Sequence, residues 1–173
     1  MSIFNFHYVT IAEPRQSFFM ELERLFNRVC ADPKCPFSES AAWWWSYKPF
    51  QPLPHEPVIW LLESAGDSLI KKVYGDQPGK AGLTKVRGNK GNISEIYLDH
   101  RANQGATAQA KMAFHELMHN KLQKGDELHT ESTGLGRERF ELRPFGDDLM
   151  FDDIRLMAPV LDKPVRQYAG SYS

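Results

Sequence analysis

An imbalance of charge is missing from this sequence: 21 Lys and Arg stand against 22 Asp and Glu, for a formal net charge of -1. Sequence-independent grip on nucleic-acid phosphates or on an anionic membrane needs a basic excess, so neither partner is expected. Long apolar runs are missing too. None approaches the roughly 20 residues that cross a bilayer, which argues against membrane insertion. The opening MSIFNFHYVTIAEPRQ has no basic start, apolar core or small-residue cleavage site, so no secretory signal is expected. Three placements are then open: the producer's cytoplasm, part of a longer protein, or export through a machine that reads no signal peptide. Cysteine is scarce. Cys30 and Cys35, in CADPKC, supply neither a disulfide framework nor a complete zinc site, leaving two free thiols or one local disulfide. Internal repeats and low-complexity tracts are also lacking.

The 173 residues, 42% of them hydrophobic, suffice for a single domain with a genuine core. We read one domain over 1–173, with an N-terminal lobe to about 124 and a C-terminal lobe from 125. Phe18, Leu22, Leu25, Phe26 and Val29 recur at helical spacing within residues 13–29, which predicts an amphipathic helix. Residues 32–57 carry Trp43, Trp44, Trp45, Pro49, Pro52, Pro54 and Pro57 and read as a long ordered loop packed by its rings. VIWLLES, residues 58–64, is short, apolar and β-rich, as a buried strand is. A short helical stretch is expected around 68–74, followed by an exposed Gly- and Lys-rich loop or hairpin, GKAGLTKVRGNKGN. ISEIYLDH, residues 93–100, alternates well enough for a half-exposed strand. An alanine-rich helix follows, over about 103–124, with Gly125 as its C′ residue.

The chemistry is concentrated in KMAFHELMHNKLQKGDELHTE, which contains H-E-x-x-H at His115, Glu116 and His119. Two histidines four residues apart stand one turn above the other on one side of a helix, so both imidazoles reach one zinc ion. Glu116 lies about 100° further round, placed to address a water as general base and not the metal. Ala110, Ala113, Phe114 and Leu117 fall on the side opposite the histidines. That side is expected to anchor the helix while the histidines face a cleft.

A catalytic zinc commonly takes three protein ligands and leaves a position for water. His129 is the best third candidate. From His119 to Gly125 the helix descends about 9 Å at 1.5 Å per residue, and four extended residues climb back about 13 Å at 3.3 Å per residue. Glu131 is the next candidate, as ligand or as support for an imidazole. Asp147, Asp148, Asp152 and Asp153 are more distant ones. His7, His55 and His100 are isolated, and only His100, nearest the motif, is retained as a substrate contact. The triple Trp43 to Trp45 reads either as a loop pinned to the core or as a substrate wall.

The stretch 93–136 resembles the zincin metallopeptidases, in which a strand precedes the H-E-x-x-H helix and a third ligand follows it. The metzincin continuation x-x-G-x-x-H is absent: Leu122 and Gly125 stand at the corresponding positions, so His129 serves by analogy. Met150 or Met157 would fill a role similar to the methionine turn beneath the metal. HELMHNKL, then LHT and TGLG, also looks like the metallopeptidase effector domains of type VI secretion spike proteins. The resemblance implies an α+β, zincin-like fold with a small, mostly antiparallel sheet, an active-site helix and an irregular C-terminal lobe.

It also implies zinc-dependent hydrolysis of a peptide or amide bond, in a protein or a peptidoglycan peptide. A delivered toxin would act in a target compartment such as the periplasm and have a cognate immunity protein. The strand 93–100 would pair with an extended substrate. Two other readings are open: a SprT-like housekeeping protease, disfavoured by the balanced charge, and a non-catalytic module stapled by zinc, in which Glu116 would have no task.

Overall fold

The computed structural model describes residues 15–36, 59–75, 78–86, 93–137 and 148–161 with their side chains. Residues 5–8, 44–46 and 58 are described as backbone. His55, Trp43, Asp147 and the prolines between 49 and 57 lie outside the described residues, as do the side chains of His7, Trp44 and Trp45.

Five strands form one sheet: β1 (Asn5–Tyr8), β2 (Trp44–Ser46), β3 (Val58–Leu62), β4 (Gly82–Thr84) and β5 (Ile93–Tyr97), in the order β2-β1-β3-β5-β4. β1 pairs in parallel with both β2 and β3, and β3 pairs in parallel with β5. Among the described residues only the β4–β5 pairing is antiparallel. The fold is mixed α and β as expected, but the sheet is mostly parallel, not mostly antiparallel. Between β1 and β2 the chain passes through α1 (Gln16–Cys30), a helical crossover that returns it in the same direction. From β3 it passes through α2 (Leu69–Tyr74) to β4, which runs opposite to its neighbour β5, and the return along β5 is parallel to β3. The stretch read as one long loop contains β2 at two of the three tryptophans.

Helix α1 forms where its spacing predicts. Phe18, Leu22, Leu25, Phe26 and Val29 are each no more than 1% exposed. Each such burial contributes roughly 1.5–3 kcal/mol. They pack against α3 (Ala106–Leu122), with the rings of Phe26 and Phe114 edge to face at 5.5 Å. Alternation along β3 sorts the core in two. Ile59 and Leu61 face α1 and α3, with Ile96 of β5. Leu62 joins Ile70, Leu83 and Tyr97 on the α2 side.

Strand β5 departs from the half-exposed reading. It lies between β3 and β4, and Ser94, Glu95, Ile96 and Tyr97 are all buried. The Glu95 carboxylate is satisfied inside: Ser68 Oγ, the backbone N–H groups of Leu69 and Ile70, and Tyr97 Oη all donate to it. A buried acid that caps a helix start looks polar in sequence yet faces no water.

Cys30 is buried at the end of α1, and both it and Cys35 are free thiols; burial pushes the Cys30 thiol up to about 12. No helix among the described residues is long and apolar enough to cross a membrane.

Candidate metal centre

Helix α3 carries the His-Glu pair through the middle of the core. Its entry is a short 3-10 turn at Arg101–Asn103. Asn103 Nδ2 donates to the carbonyls of Tyr97 and Ala81, at 2.6 and 2.9 Å, and so ties the helix start to the ends of β5 and β4. His100 Nδ1 accepts from the Ala102 N–H, so this histidine caps the turn and does not line the cavity at the centre.

The face bearing His115 and His119 is not an open cleft wall. Every residue from Ala110 to Asn120 is buried, and the two histidines are 6% and 8% exposed. The chain beyond the helix folds back over this face. Gln123, not Gly125, ends α3 in the left-handed conformation, at φ 52°. The turn delivers the Lys124 carbonyl to His119 Nδ1 at 2.7 Å.

The chain does not then climb back extended. Asp126–Glu131 forms a further helix, α4, with Asp126 and Glu127 in its first turn, where acids suit the helix dipole. His129 sits on α4, and Leu128 anchors that helix in the core. The expected reach was right in outcome, while the path is a tight reversal and a helix.

Three imidazoles meet as a result. Nε2 of His119 lies 3.1 Å from Nε2 of His115 and 3.1 Å from Nε2 of His129. His115 Nδ1 is 2.5 Å from the Leu135 carbonyl. A carbonyl accepts, so the Nδ1 proton sits on that side in both His115 and His119, and each Nε2 presents a lone pair. Burial, with His119 and His129 nearby, lowers His115 to about 3, and burial also lowers His119; both rings are neutral at ordinary pH.

Lone pairs facing one another at 3.1 Å repel unless a cation or proton lies between them. Nitrogens about 2.0–2.1 Å from one tetrahedral metal stand about 3.3–3.4 Å apart. The donor set therefore fits a metal ion, held by His115, His119 and His129, whose ligand atoms all lie within 4.8 Å of one another.

Glu116 occupies the same cavity without joining that group. The cavity, about 150 Å³, is lined by Glu116, His119 and His129, by Lys80, Gly82, Leu83, Thr84 and Val86 around β4, and by Gly125 and Asp126. Thr84 Oγ1 donates to Glu116 Oε2 at 2.5 Å. Burial pushes the Glu116 carboxyl up to about 8, against the Thr84 hydrogen bond and the Lys80 charge, which pull it down. Gly82 has no Cβ to spare: one built there would stand 2.6 Å from Glu116 Oε1. Neither Thr84 nor Gly82 was singled out from the sequence. Both lie in a Gly-rich stretch far upstream, and only the β4–β5 pairing brings them to α3.

The remaining candidates fall elsewhere. Glu131 is exposed and ion-pairs with Lys124. Asp148 bridges to Arg24 and Arg28 of α1, at 2.9 and 3.2 Å. Asp152 accepts from Thr133 Oγ1 and faces Arg155. Asp153 is buried but bonds to backbone and hydroxyl donors, away from the three histidines. Met157 is a core residue of α5 (Phe151–Met157) and Met150 is half exposed at its head; neither lines the cavity. Compared with known proteins, the chain matches no family model, no curated protein and no solved structure.

Proposed function

We propose that the protein is a zinc-dependent hydrolase of peptide or amide bonds, with His115, His119 and His129 as the metal ligands and Glu116 as general base. The observation that carries this reading is the meeting of three imidazoles, His115, His119 and His129, beside a small cavity that His119, His129 and the buried Glu116 line. Imidazole suits zinc among the available divalent ions. Three histidines make up the metal-ligating group among the described residues. That number fits a catalytic site with an open position better than a closed, structural one.

When bound, the metal supplies Lewis acidity, lowering the pKa of water and polarising the scissile carbonyl. The chain's own residues do the rest. Thr84 holds Glu116 Oε2, which leaves Oε1 to take a proton from the attacking water and return it to the leaving amine. Gly82 leaves that oxygen uncrowded. The expected strand partner for an extended substrate changes as well. β5 is paired on both sides, whereas among the described residues β4 ends the sheet, and it lines the cavity, so a peptide adding to the sheet would do so along β4.

The resemblance of HELMHNKL, LHT and TGLG to type VI effector domains supports a toxin acting on a protein or peptidoglycan peptide. A producer would then need a cognate immunity protein. The test is hydrolysis of an unstructured protein and of cross-linked peptidoglycan by zinc-loaded wild type and Glu116→Gln. Cleavage of either by the wild type alone supports the reading; equal activity in both proteins rejects Glu116 as base.

A further inference from the structure

The turn that orients His115 is itself built around one buried carboxylate. Residues Ser132 to Gly136 run S-T-G-L-G, and the Leu135 carbonyl in that turn receives His115 Nδ1–H at 2.5 Å. Asp153, fully buried in the first turn of α5, faces the turn from the other side. Its Oδ1 accepts from Ser132 Oγ and from the Gly136 N–H at 3.4 Å. Its Oδ2 accepts from the Leu135 N–H at 2.9 Å and from the Met150 N–H at 3.0 Å. Ser132 Oγ in turn accepts from the Gly134 N–H at 3.1 Å.

The two glycines follow from this wrapping. A Cβ on Gly136 would stand 2.5 Å from Ser132 Cβ and 3.2 Å from Asp153 Oδ1. One on Gly134 would collide with Asp153 Oδ2 and the Asp148 carbonyl. The turn therefore closes only with bare backbone at both places and an acceptor on both carboxylate oxygens.

We infer that Asp153 is a positioning residue for the metal centre: it fixes the Ser132–Gly136 turn, whose Leu135 carbonyl sets the tautomer and ring orientation of His115. The inference rests on the three-histidine metal reading above. An amide at position 153 keeps the shape but turns one acceptor into a donor, opposite N–H groups that also donate. The Leu135 peptide shifts, and His115 loses its alignment. Groups that orient ligands in this way typically change metal affinity by about tenfold to a hundredfold when altered.

The experiment compares wild type, Asp153→Asn and Ile70→Ala. Ile70 lies in the small core on the opposite face of the sheet and reports plain destabilisation. Zinc affinity is measured by competition with a chromophoric chelator. Cobalt(II) is added separately to read the ligand field, and melting is followed without metal. Asp153→Asn is expected to bind zinc about ten to a hundred times more weakly, with altered cobalt bands. Ile70→Ala is expected to melt earlier while binding zinc as the wild type does. If Asp153→Asn lowers only the melting temperature and keeps zinc affinity and cobalt spectrum, the inference is overturned.

A wild type that binds neither metal overturns the metal reading itself, a result visible before any variant is compared. Should Asp153→Asn fail to fold, Ser132→Ala removes one donor to the carboxylate and carries the same test. A smaller loss of zinc affinity in the same direction supports the inference, and unchanged affinity and spectrum overturn it.

Discussion

Thr84 Oγ1 lies 2.5 Å from Glu116 Oε2, joining the edge strand β4 to the residue that follows the first histidine of the motif. The same hydroxyl lies 3.0 Å from the Glu116 carbonyl and 2.8 Å from Ser94 Oγ. The hydroxyl thus ties the strand β4 to the motif helix and holds one oxygen of the Glu116 carboxyl.

For the proposed base, Glu116→Gln should keep the metal and lower hydrolysis by about a hundredfold to ten-thousandfold. Thr84→Val keeps the shape and removes the hydroxyl. Its expected loss is about tenfold or more in activity with zinc content unchanged. Steady-state rates on an unstructured protein, paired with metal analysis, check both.

At Gly82 the constraint is space. Alanine there would press on Glu116 Oε1 at 2.6 Å, on Glu116 Cγ at 2.9 Å and on the Glu95 carbonyl at 2.9 Å. Gly82→Ala should cost about 1–3 kcal/mol in urea unfolding and lower activity, because the added methyl meets the Glu116 side chain.

Acid should loosen the attachment of the C-terminal segment to α1. Burial pushes Asp148 up, but hydrogen bonds from Arg24 and from the Leu149 N–H outweigh it and hold the carboxyl below its ordinary 3.8. A depressed folded pKa means stability that is present above about pH 3.8 and lost as pH falls through the folded value. The ion pairs are partly exposed, so the contribution is about 1 kcal/mol or less. Asp148→Asn should lower the melting temperature at pH 7 and converge on wild type as pH falls through the folded pKa. A constant difference across that range would contradict the assignment.

Phe26 braces α1 against the motif helix through its edge-to-face contact with Phe114. Phe26→Ala should destabilise by about 3–5 kcal/mol in denaturant unfolding. Added zinc should recover part of the loss, because a ligand of the folded state alone stabilises it by mass action.

Local periodicity made much of this legible. Helix α1, strand β3, helix α2 and the H-E-x-x-H helix form where spacing places them, since each carries its pattern within a few turns. His129 was reachable by chain length alone. The sheet's direction was not, because parallel pairing is decided by crossovers that no local pattern encodes. Strand β5 misled because Ser94 and Glu95 look solvent-facing yet are buried with internal partners. Helix α4 was hidden by its glycine and short length, although Asp126 and Glu127 in its first turn were a usable signal. Thr84, Gly82 and Asp153 carry no mark of their own; their roles exist only through contacts made across the fold.

Elemental analysis of wild type prepared without chelator, beside His115→Ala, His129→Ala and Glu116→Gln, tests the three-histidine metal reading most directly. About one zinc per wild-type chain, lost in both histidine variants and kept in Glu116→Gln, is the predicted result. A wild type without zinc even after reconstitution, or a His129→Ala protein that keeps its full complement, would contradict it.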